Sequence, residues 1–83
     1  MASFTLTKRA EGDLRKLQPD TAARVFDAIE RFAATGEGDV RKLKGISSEY
    51  RLRVGEWRVR FERLGPGVYR ILRVLNRRDA YRG

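Results

Sequence analysis

Hydrophobic residues recur along the first half of the chain with spacings that change from strand-like to helical. Residues 3–7 (SFTLT) alternate between polar and apolar types, which predicts a short strand. Over about residues 8–18, and again over about 19–35, the apolar residues recur at helical spacing, which predicts two helices. Thr7 stands at the N-cap position of the first helix, and Pro19 suits the first turn of the second. Because almost no linker separates these helices, we expect an antiparallel pair.

In the second half of the chain the period changes to two. Gly36 is a natural helix stop, and the glycine-rich residues 36–48 (GEGDVRKLKGISS) predict a loop. Two alternating runs follow, over residues 50–54 and 57–62. Gly55-Glu56 between them suits a type II′ hairpin turn, because glycine fits the first central position.

The remaining residues complete the predicted fold. Residues 64–67 (LGPG) predict a second turn. Residues 68–75 (VYRILRVL) have apolar side chains at both odd and even positions, as expected of a central strand that is buried on both faces. Residues 76–83 are a polar tail. The pattern therefore predicts one α+β domain over residues 1–83 in the order β-α-α-β-β-β. In it, a short N-terminal strand precedes a two-helix antiparallel hairpin packed on one face of a three-strand antiparallel meander.

The predicted hairpin places four arginines on one face of the sheet. With a two-residue turn, Arg53 faces Arg58 and Arg51 faces Arg60, while the other face is wholly apolar. Like charges directly opposite each other destabilise a sheet, so the arrangement favours a ligand with several negative charges. The alternative is that neighbouring carboxylates neutralise the arginines; the candidates are Glu49, Glu56 and Glu62.

Composition excludes several kinds of site. The 83-residue chain has no cysteine and no histidine, which excludes a disulfide framework, a thiolate nucleophile, an iron–sulfur cluster, structural zinc and imidazole acid–base chemistry. We therefore expect no metal and no cofactor. No apolar run is long enough for a membrane span, and the N-terminus lacks a signal-peptide core, so we expect a cytoplasmic protein without a membrane partner.

Basic charge is concentrated in the second half of the chain. Residues 1–40 hold six basic and seven acidic side chains, whereas residues 41–83 hold thirteen basic and four acidic, and the whole chain carries +8. Most of the excess is arginine, which favours bidentate contact with phosphate. A solvated basic face is the plain alternative. The asymmetry favours a polyanionic partner, either nucleic acid or an acidic protein segment.

The order of the predicted elements and three stretches of sequence resemble the RelE/ParE superfamily of toxins from toxin–antitoxin systems. The stretches are RKLKG (41–45), EYRLRVGEWRVRFE (49–62) and ILRVLNRRDAYR (71–82). Members similar to RelE cut messenger RNA in the ribosomal decoding site with the ribose 2′-OH as nucleophile, and members similar to ParE poison DNA gyrase. Both kinds are neutralised by a co-expressed antitoxin. The resemblance therefore implies the superfamily fold, a toxin role and an antitoxin partner.

The resemblance also implies roles for individual arginines. Arg51 and Arg53 stand where RelE-like toxins place basic residues, often lysines. Arg58 matches the arginine that holds the scissile phosphate. Either Arg77 or Arg78 matches an arginine that follows the last strand, and spacing alone does not choose between them.

Two further positions bear on the resemblance. Tyr81 matches a near-terminal tyrosine that stacks on a base or assists proton transfer, and the alternative is a hydrophobic anchor for the tail. Asn76 stands where many members have histidine, so the role of that histidine is missing here.

Cleavage of RNA by its own 2′-OH needs a base, an acid and stabilisation of the phosphorane. Arginines serve only the last need, because guanidinium keeps its proton. Six residues remain as possible proton movers: Lys42, Lys44, Glu49, Glu56, Glu62 and Tyr81. Lys44, just before the hairpin, and Tyr81 are the favoured candidates, and an ordinary solvated lysine is the alternative for Lys44.

The favoured interpretation is a ribosome-dependent, metal-independent mRNA endoribonuclease that blocks translation. Further contacts to nucleic acid are expected from Arg41, Lys42 and Arg60. One alternative is a ParE-like inhibitor that binds DNA gyrase without cleaving anything, and another is a plain RNA- or DNA-binding module. The antitoxin is expected to be acidic and partly disordered, and to fold as it binds the basic face or the apolar helix surface.

Overall fold

The computed structural model describes residues 3–43 and 49–79, which form five strands and two helices. Their order is β1 (Ser3–Leu6), α1 (Lys8–Arg15), α2 (Pro19–Thr35), β2 (Asp39–Lys42), β3 (Glu49–Val54), β4 (Trp57–Gly65) and β5 (Val68–Asn76). A strand, two helices and then further strands in a single sheet confirm the predicted α+β fold. None of the described helices has the length and apolar content that crossing a membrane requires.

Thr7 fixes the beginning of α1, as predicted. Its Oγ1 accepts a hydrogen bond from the backbone N–H of Ala10 at 3.1 Å. The same hydroxyl donates to the carbonyl oxygen of Leu72 at 3.0 Å. The cap therefore joins the first helix to the last strand.

Both helix ends follow local hydrogen bonding. α1 ends at Arg15, before the predicted end near residue 18, because Lys16 and Leu17 make i→i−3 hydrogen bonds that tighten the last turn. Pro19 occupies the first turn of α2, and Gly36 ends that helix in a left-handed conformation with a φ of 78°. Both of these signals were read correctly from the sequence.

The loop predicted over residues 36–48 was wrong in its middle. Asp39–Lys42 forms β2, which pairs with β3 in antiparallel orientation. Val40 lies opposite Leu52 and packs against the core. One apolar residue in a four-residue strand is too short a pattern to reveal a period of two. Residues 36–38 and 43 are neither helix nor strand, and the last part of the predicted loop, residues 44–48, lies outside the described residues.

The sheet has the strand order β1-β5-β4-β3-β2. The antiparallel meander therefore has one strand more than predicted, and β1 lies parallel to β5 at the other edge. The register of the β3–β4 hairpin is the predicted one, down to the pair Val54 and Trp57 at the turn. Gly55 has a φ of 58° whereas Glu56 has no positive φ, which is the pattern of the predicted type II′ turn.

The two helices cover one face of the sheet. Ala10 of α1 and Val25 and Ile29 of α2 are fully buried against five sheet residues, namely Leu52, Val59, Phe61, Ile71 and Val74. An irregularity opposite Arg60 and Phe61 leaves Leu72 outside the register of β4 and β5. This irregularity allows both Ile71 and Val74 to face the core. The opposite face of the sheet carries no helix among the described elements.

Candidate nucleic-acid interface

The helix-free face of the sheet carries a row of arginines from four strands. Directly opposed residues of an antiparallel pair lie on the same face, so the strand registers identify its members. We call this set the arginine face, and it comprises Arg41, Arg51, Arg53, Arg58, Arg60, Arg70 and Arg73. Three carboxylates lie on the same face: Asp39, Glu49 and Glu62. The arginine face thus has an excess of positive charge.

Two arginines of this face are held by its carboxylates. Arg60 donates from Nε and Nη2 to Oε2 of Glu49 at 3.1 and 2.6 Å, and both side chains are less than one-fifth exposed. Arg70 donates to Oε1 of Glu62 at 2.8 Å. Neutralisation by neighbouring carboxylates, the alternative considered for the hairpin arginines, therefore applies to Arg60.

Arg73 is held by a carboxylate from helix α1. Its Nε and Nη2 donate to Oδ2 and Oδ1 of Asp13 at 2.8 and 3.2 Å, and the backbone N–H of Val74 donates to the same carboxylate at 2.9 Å. Burial raises the pKa of Asp13, but the hydrogen bonds from Arg73 and Val74 outweigh burial, so the pKa lies below its ordinary value. Asp13 thereby provides a hydrogen-bond acceptor for the backbone of β5 at Val74, beyond Ile71, where the pairing with β1 ends.

Arg51 and Arg53 share one carboxylate. Nη2 of Arg51 lies 3.9 Å, and Nη1 of Arg53 4.0 Å, from the carboxylate oxygens of Asp39, and these distances are too long for hydrogen bonds. The Arg51 side chain is only 8% exposed, whereas that of Arg53 is 55% exposed. Two guanidinium groups beside one carboxylate leave net positive charge here, and Arg53 is the more accessible of the two.

Arg58 lies directly opposite Arg53, next to the hairpin turn. Its Nη1 donates to the carbonyl oxygens of Gly55 at 2.9 Å and Trp57 at 3.1 Å. Within the described part of the chain, no carboxylate lies within 4.0 Å of its guanidinium nitrogens. Guanidinium has five N–H donors, so donors remain for an anion.

The segment after β5 is tied to the same turn. Arg77 donates its backbone N–H to the carbonyl oxygen of Glu56 at 2.8 Å, which extends the pairing of β4 and β5 by one hydrogen bond. Strand alternation ends at Asn76, because the N–H of Asp79 donates to the carbonyl oxygen of Asn76 at 2.8 Å and closes a turn with Arg77 and Arg78 at its centre. Asn76 accepts the backbone N–H of Arg78 on its side-chain oxygen at 3.2 Å, so Arg78 lies in the turn that ends the strand.

The other predicted site residues have different positions. Arg41 lies on the arginine face and is exposed. Lys42 lies opposite Tyr50, whose ring stacks on the core residue Phe61, so the structure does not bring Lys42 to the arginine face. Lys44 and Tyr81 lie outside the described residues, and their roles stay predictions.

Asp13 and Asp39 are two site residues that sequence reasoning missed. Asp39 was missed because its segment was assigned to a loop, and the alternation of Asp39, Val40 and Arg41 is too short to indicate a strand. Asp13 lies 60 positions before Arg73 in the chain, so no local pattern connects them. The positions of these carboxylates determine which arginines have positive charge that is not compensated and can bind an anionic ligand.

Comparison with known proteins shows what the chain resembles. A family model described as the ParE toxin of type II toxin–antitoxin systems matches residues 4–81. The protein named "Putative toxin RelE1" from Methanocaldococcus jannaschii is 31% identical over 76 residues, which cover 87% of this chain and 84% of that protein.

Solved structures agree with these sequence matches. The RelB–RelE antitoxin–toxin complex from Methanococcus jannaschii contains a chain that superposes with a TM-score of 0.74 at 25% identity, covering 94% of this chain and 95% of that one. The intact Escherichia coli RelBE complex contains one with a TM-score of 0.74 at 16% identity, covering 92% and 96%. At that lower identity the likeness is one of fold.

Proposed function

The chain belongs to the ParE toxin family of type II toxin–antitoxin systems, within the RelE/ParE superfamily, and from that membership we propose that it is a ribosome-dependent mRNA endoribonuclease that blocks translation. In this proposal the arginine face binds the phosphates of a single RNA strand. The ribose 2′-OH beside the scissile phosphate attacks the phosphorus, the bond to the 5′-oxygen breaks, and a cyclic phosphate remains.

The observation that carries the proposal is the pair formed by Arg53 and Arg58. These guanidinium groups are on directly opposed residues, and one shared carboxylate 4.0 Å from Arg53 is the nearest compensation. A phosphorane carries more negative charge than the ground-state phosphodiester, so preorganised cations stabilise it preferentially. We assign the scissile phosphate to Arg58 and Arg53. Arg51 acts as a mostly buried positive charge behind them.

Arg77 is the better of the two candidates after β5. Both residues lie in the turn after β5, but the backbone N–H of Arg77 donates to the hairpin turn next to Arg58, whereas that of Arg78 donates to the side chain of Asn76. We therefore propose that Arg77 contacts a phosphate beside the scissile one and that Arg78 does not.

Proton transfer is assigned to groups other than the arginines. Glu49 and Glu62 are held in ion pairs, which leaves them poorly placed as bases. Lys44 and Tyr81 remain the proposed proton movers, or Tyr81 a base stacker. Glu56 is exposed in the hairpin turn beside Arg77 and is the candidate among the described carboxylates. Orientation of the RNA by the ribosome would supply much of the rate, so weak acid–base groups suffice.

A cognate antitoxin is the proposed protein partner. The solved relative from Methanococcus jannaschii is a toxin bound to its antitoxin. A net charge of +8 favours an acidic, partly disordered partner that folds as it binds. An acidic segment that covers the arginine face would compete directly with RNA.

A translation extract with a defined mRNA tests the proposed activity. Mapping of RNA ends after addition of the protein is expected to show cuts that occur only when ribosomes are present. The upstream fragment should carry a 2′,3′-cyclic phosphate at its 3′ end. The same mRNA without ribosomes is the control and should stay intact. Arrested translation with uncut mRNA would contradict cleavage.

Inhibition of DNA gyrase is the second candidate function. The matching family model is described as the ParE toxin. Glu49 and Glu62 form ion pairs with Arg60 and Arg70, so neither carboxylate is free to transfer a proton to or from RNA. In this case the arginine face would bind a protein surface. A gyrase supercoiling assay decides: inhibition at stoichiometric protein supports this function, and full activity at saturating protein excludes it.

A further inference from the structure

A cavity of about 490 Å³ lies between helix α2 and strand β3. Its size is in the range of sites that hold small molecules or single nucleotides. Part of its lining is apolar, from Ala28, Leu52 and Val54. Apart from Gly38, the rest is charged, from three arginines and two carboxylates: Arg24, Arg31, Arg53, Asp27 and Glu37.

The charges in this cavity do not neutralise one another by contact. Arg24 and Arg31 lie two helical turns apart on one side of α2, and Asp27 lies between them at spacings of three and four residues. Within the described part of the chain, neither arginine lies within 4.0 Å of a carboxylate oxygen, and neither Asp27 nor Glu37 has a cationic nitrogen at that distance. Such a lining fits a ligand that has both an anionic group and hydrogen-bond donors.

A nucleotide of single-stranded RNA has that combination. Its phosphate accepts hydrogen bonds from arginine, its base presents a flat apolar surface, and amino groups on the base edge donate to carboxylates. Arg53 lines the cavity although it belongs to the arginine face, which is the side of the sheet opposite α2. A strand bound along the arginine face would reach the cavity by passing around the end of β3 at Arg53 and Val54, next to the hairpin turn.

Resting on the proposed RNA-cleaving function, we propose that this cavity binds one nucleotide of the substrate strand outside the scissile position. Arg24 and Arg31 contact its phosphate, and Asp27 and Glu37 accept hydrogen bonds from the base. Carboxylates only accept, and the single edge donor of uracil, its N3–H, is flanked by two carbonyl oxygens that repel them, so bases with an exocyclic amino group are preferred over uracil. An acidic protein segment is the less suitable occupant, since the same two carboxylates would repel it.

Base preference is tested with two 12-nucleotide RNAs, one all uridine and one alternating uridine and cytidine, by fluorescence anisotropy. The wild-type protein is expected to bind the cytidine-containing RNA roughly tenfold more tightly, as one charge-assisted hydrogen bond would give. The double variant Asp27→Ala, Glu37→Ala should lose this preference while its affinity for uridine RNA stays equal or rises. Both residues are exposed, so the fold should persist.

Phosphate contact is tested with the double variant Arg24→Ala, Arg31→Ala. Both RNAs should bind roughly tenfold or more weakly, and the slope of log affinity against log salt should fall by about 1.4, as expected for two lost contacts to a single strand. Arg9→Ala with Arg15→Ala is the matched control, because it removes two exposed helix arginines from α1. This control should change the slope by much less.

Equal binding of the two RNAs by the wild-type protein, or a preference that survives in the carboxylate variant, would overturn the proposal. The proposal would also be overturned if the Arg24→Ala, Arg31→Ala variant bound an acidic peptide more weakly but RNA equally well. Failure of the wild-type protein to bind either RNA at low salt would overturn it too. The proposed cleavage is judged separately. RNA binding that Arg58→Ala weakens while the cavity variants leave it unchanged would remove this proposal and keep the arginine face.

Discussion

Arg77 and Glu56 join the two ends of the candidate site, because the backbone N–H of Arg77 donates to the carbonyl oxygen of Glu56 at 2.8 Å. This hydrogen bond ties the segment after the last strand to the β3–β4 turn. The same turn binds Arg58 through the carbonyl oxygen of Gly55. The β3–β4 turn thus fixes the positions of both Arg58 and Arg77, which are about twenty residues apart in the chain. A flexible loop would not hold two such residues in a fixed geometry.

Replacement of Arg77 is expected to differ from replacement of its neighbour. Arg77→Ala should lower mRNA cleavage at least tenfold, because the proposed phosphate contact is lost, while Arg78→Ala should change it by less than a factor of about three. Both residues are exposed, so neither change should alter the melting temperature by more than a degree or two. Primer-extension assays in a translation extract measure the effect, and the reverse order of the two variants would contradict the assignment.

Replacement of Arg58 is expected to separate activity from stability. Arg58→Ala should reduce the proposed cleavage about a hundredfold or more, because the charge that we assign to stabilising the phosphorane is removed. It should leave the free energy of unfolding equal or slightly higher, because the opposed pair with Arg53 disappears. Urea denaturation and the translation extract measure the two quantities.

Arg63→Ala is the matched control for Arg58→Ala. Arg63 is on the same strand and exposed, but it lies opposite Tyr69, whose ring packs on Phe32 beneath helix α2. Cleavage by this variant should stay near the wild-type level. An unfolded Arg58→Ala protein would show instead that this arginine is structural.

Replacement of Asp13 is expected to change the pH dependence of stability. The pKa of Asp13 is lowered in the folded protein, so its carboxylate stabilises the fold above the unfolded value of about 3.9 and loses that contribution as the pH falls through the folded pKa. Asp13→Asn should therefore cost about 2 kcal/mol at pH 7, where Arg73 loses its charged partner, and much less near pH 2. Urea denaturation from pH 7 to pH 2 measures the difference, and an equal loss at every pH would contradict the role.

Gly38→Ala is expected to destabilise the protein. Gly38 has a φ of 150°, and a Cβ there would lie 2.7 Å from Cδ1 of Leu52. The change should cost about 1–2 kcal/mol in the free energy of unfolding. Gly12→Ala is the control, because a Cβ on this α1 residue meets nothing within 4 Å, and it should stabilise the helix by about 0.5–1 kcal/mol. Equal effects of the two substitutions would show that the contact with Leu52 is relieved easily.

The hairpin and the helix ends could be predicted because their signals are local. Gly55 allows the tight turn, and once its position is known, strict alternation fixes every pair from Val54 and Trp57 outward. In the same way Thr7, Pro19 and Gly36 specify helix ends through their own backbone chemistry.

What the sequence did not reveal depends on partners far apart in the chain. The prediction of a cluster of four hairpin arginines was right in register, but it did not identify which of them a carboxylate holds. The structure distinguishes them, because Glu49 holds Arg60, Asp39 lies near Arg51 and Arg53, and Arg58 is paired only with backbone carbonyls among the described residues. Distances of this kind follow from strand β2 and from tertiary packing, which a single sequence does not encode in a local pattern.

The parallel pairing of β1 with β5 has a consequence for the order of events during biosynthesis. Thr7 and Leu72, which hydrogen-bond in the finished fold, are 65 positions apart, so β1 must wait for almost the whole chain to be made before it finds its neighbour. The sheet beneath the arginines is therefore completed late in folding, because β5 joins β1 to the meander across nearly the whole described chain. We expect a folding rate set by this long-range pairing rather than by the local β3–β4 hairpin.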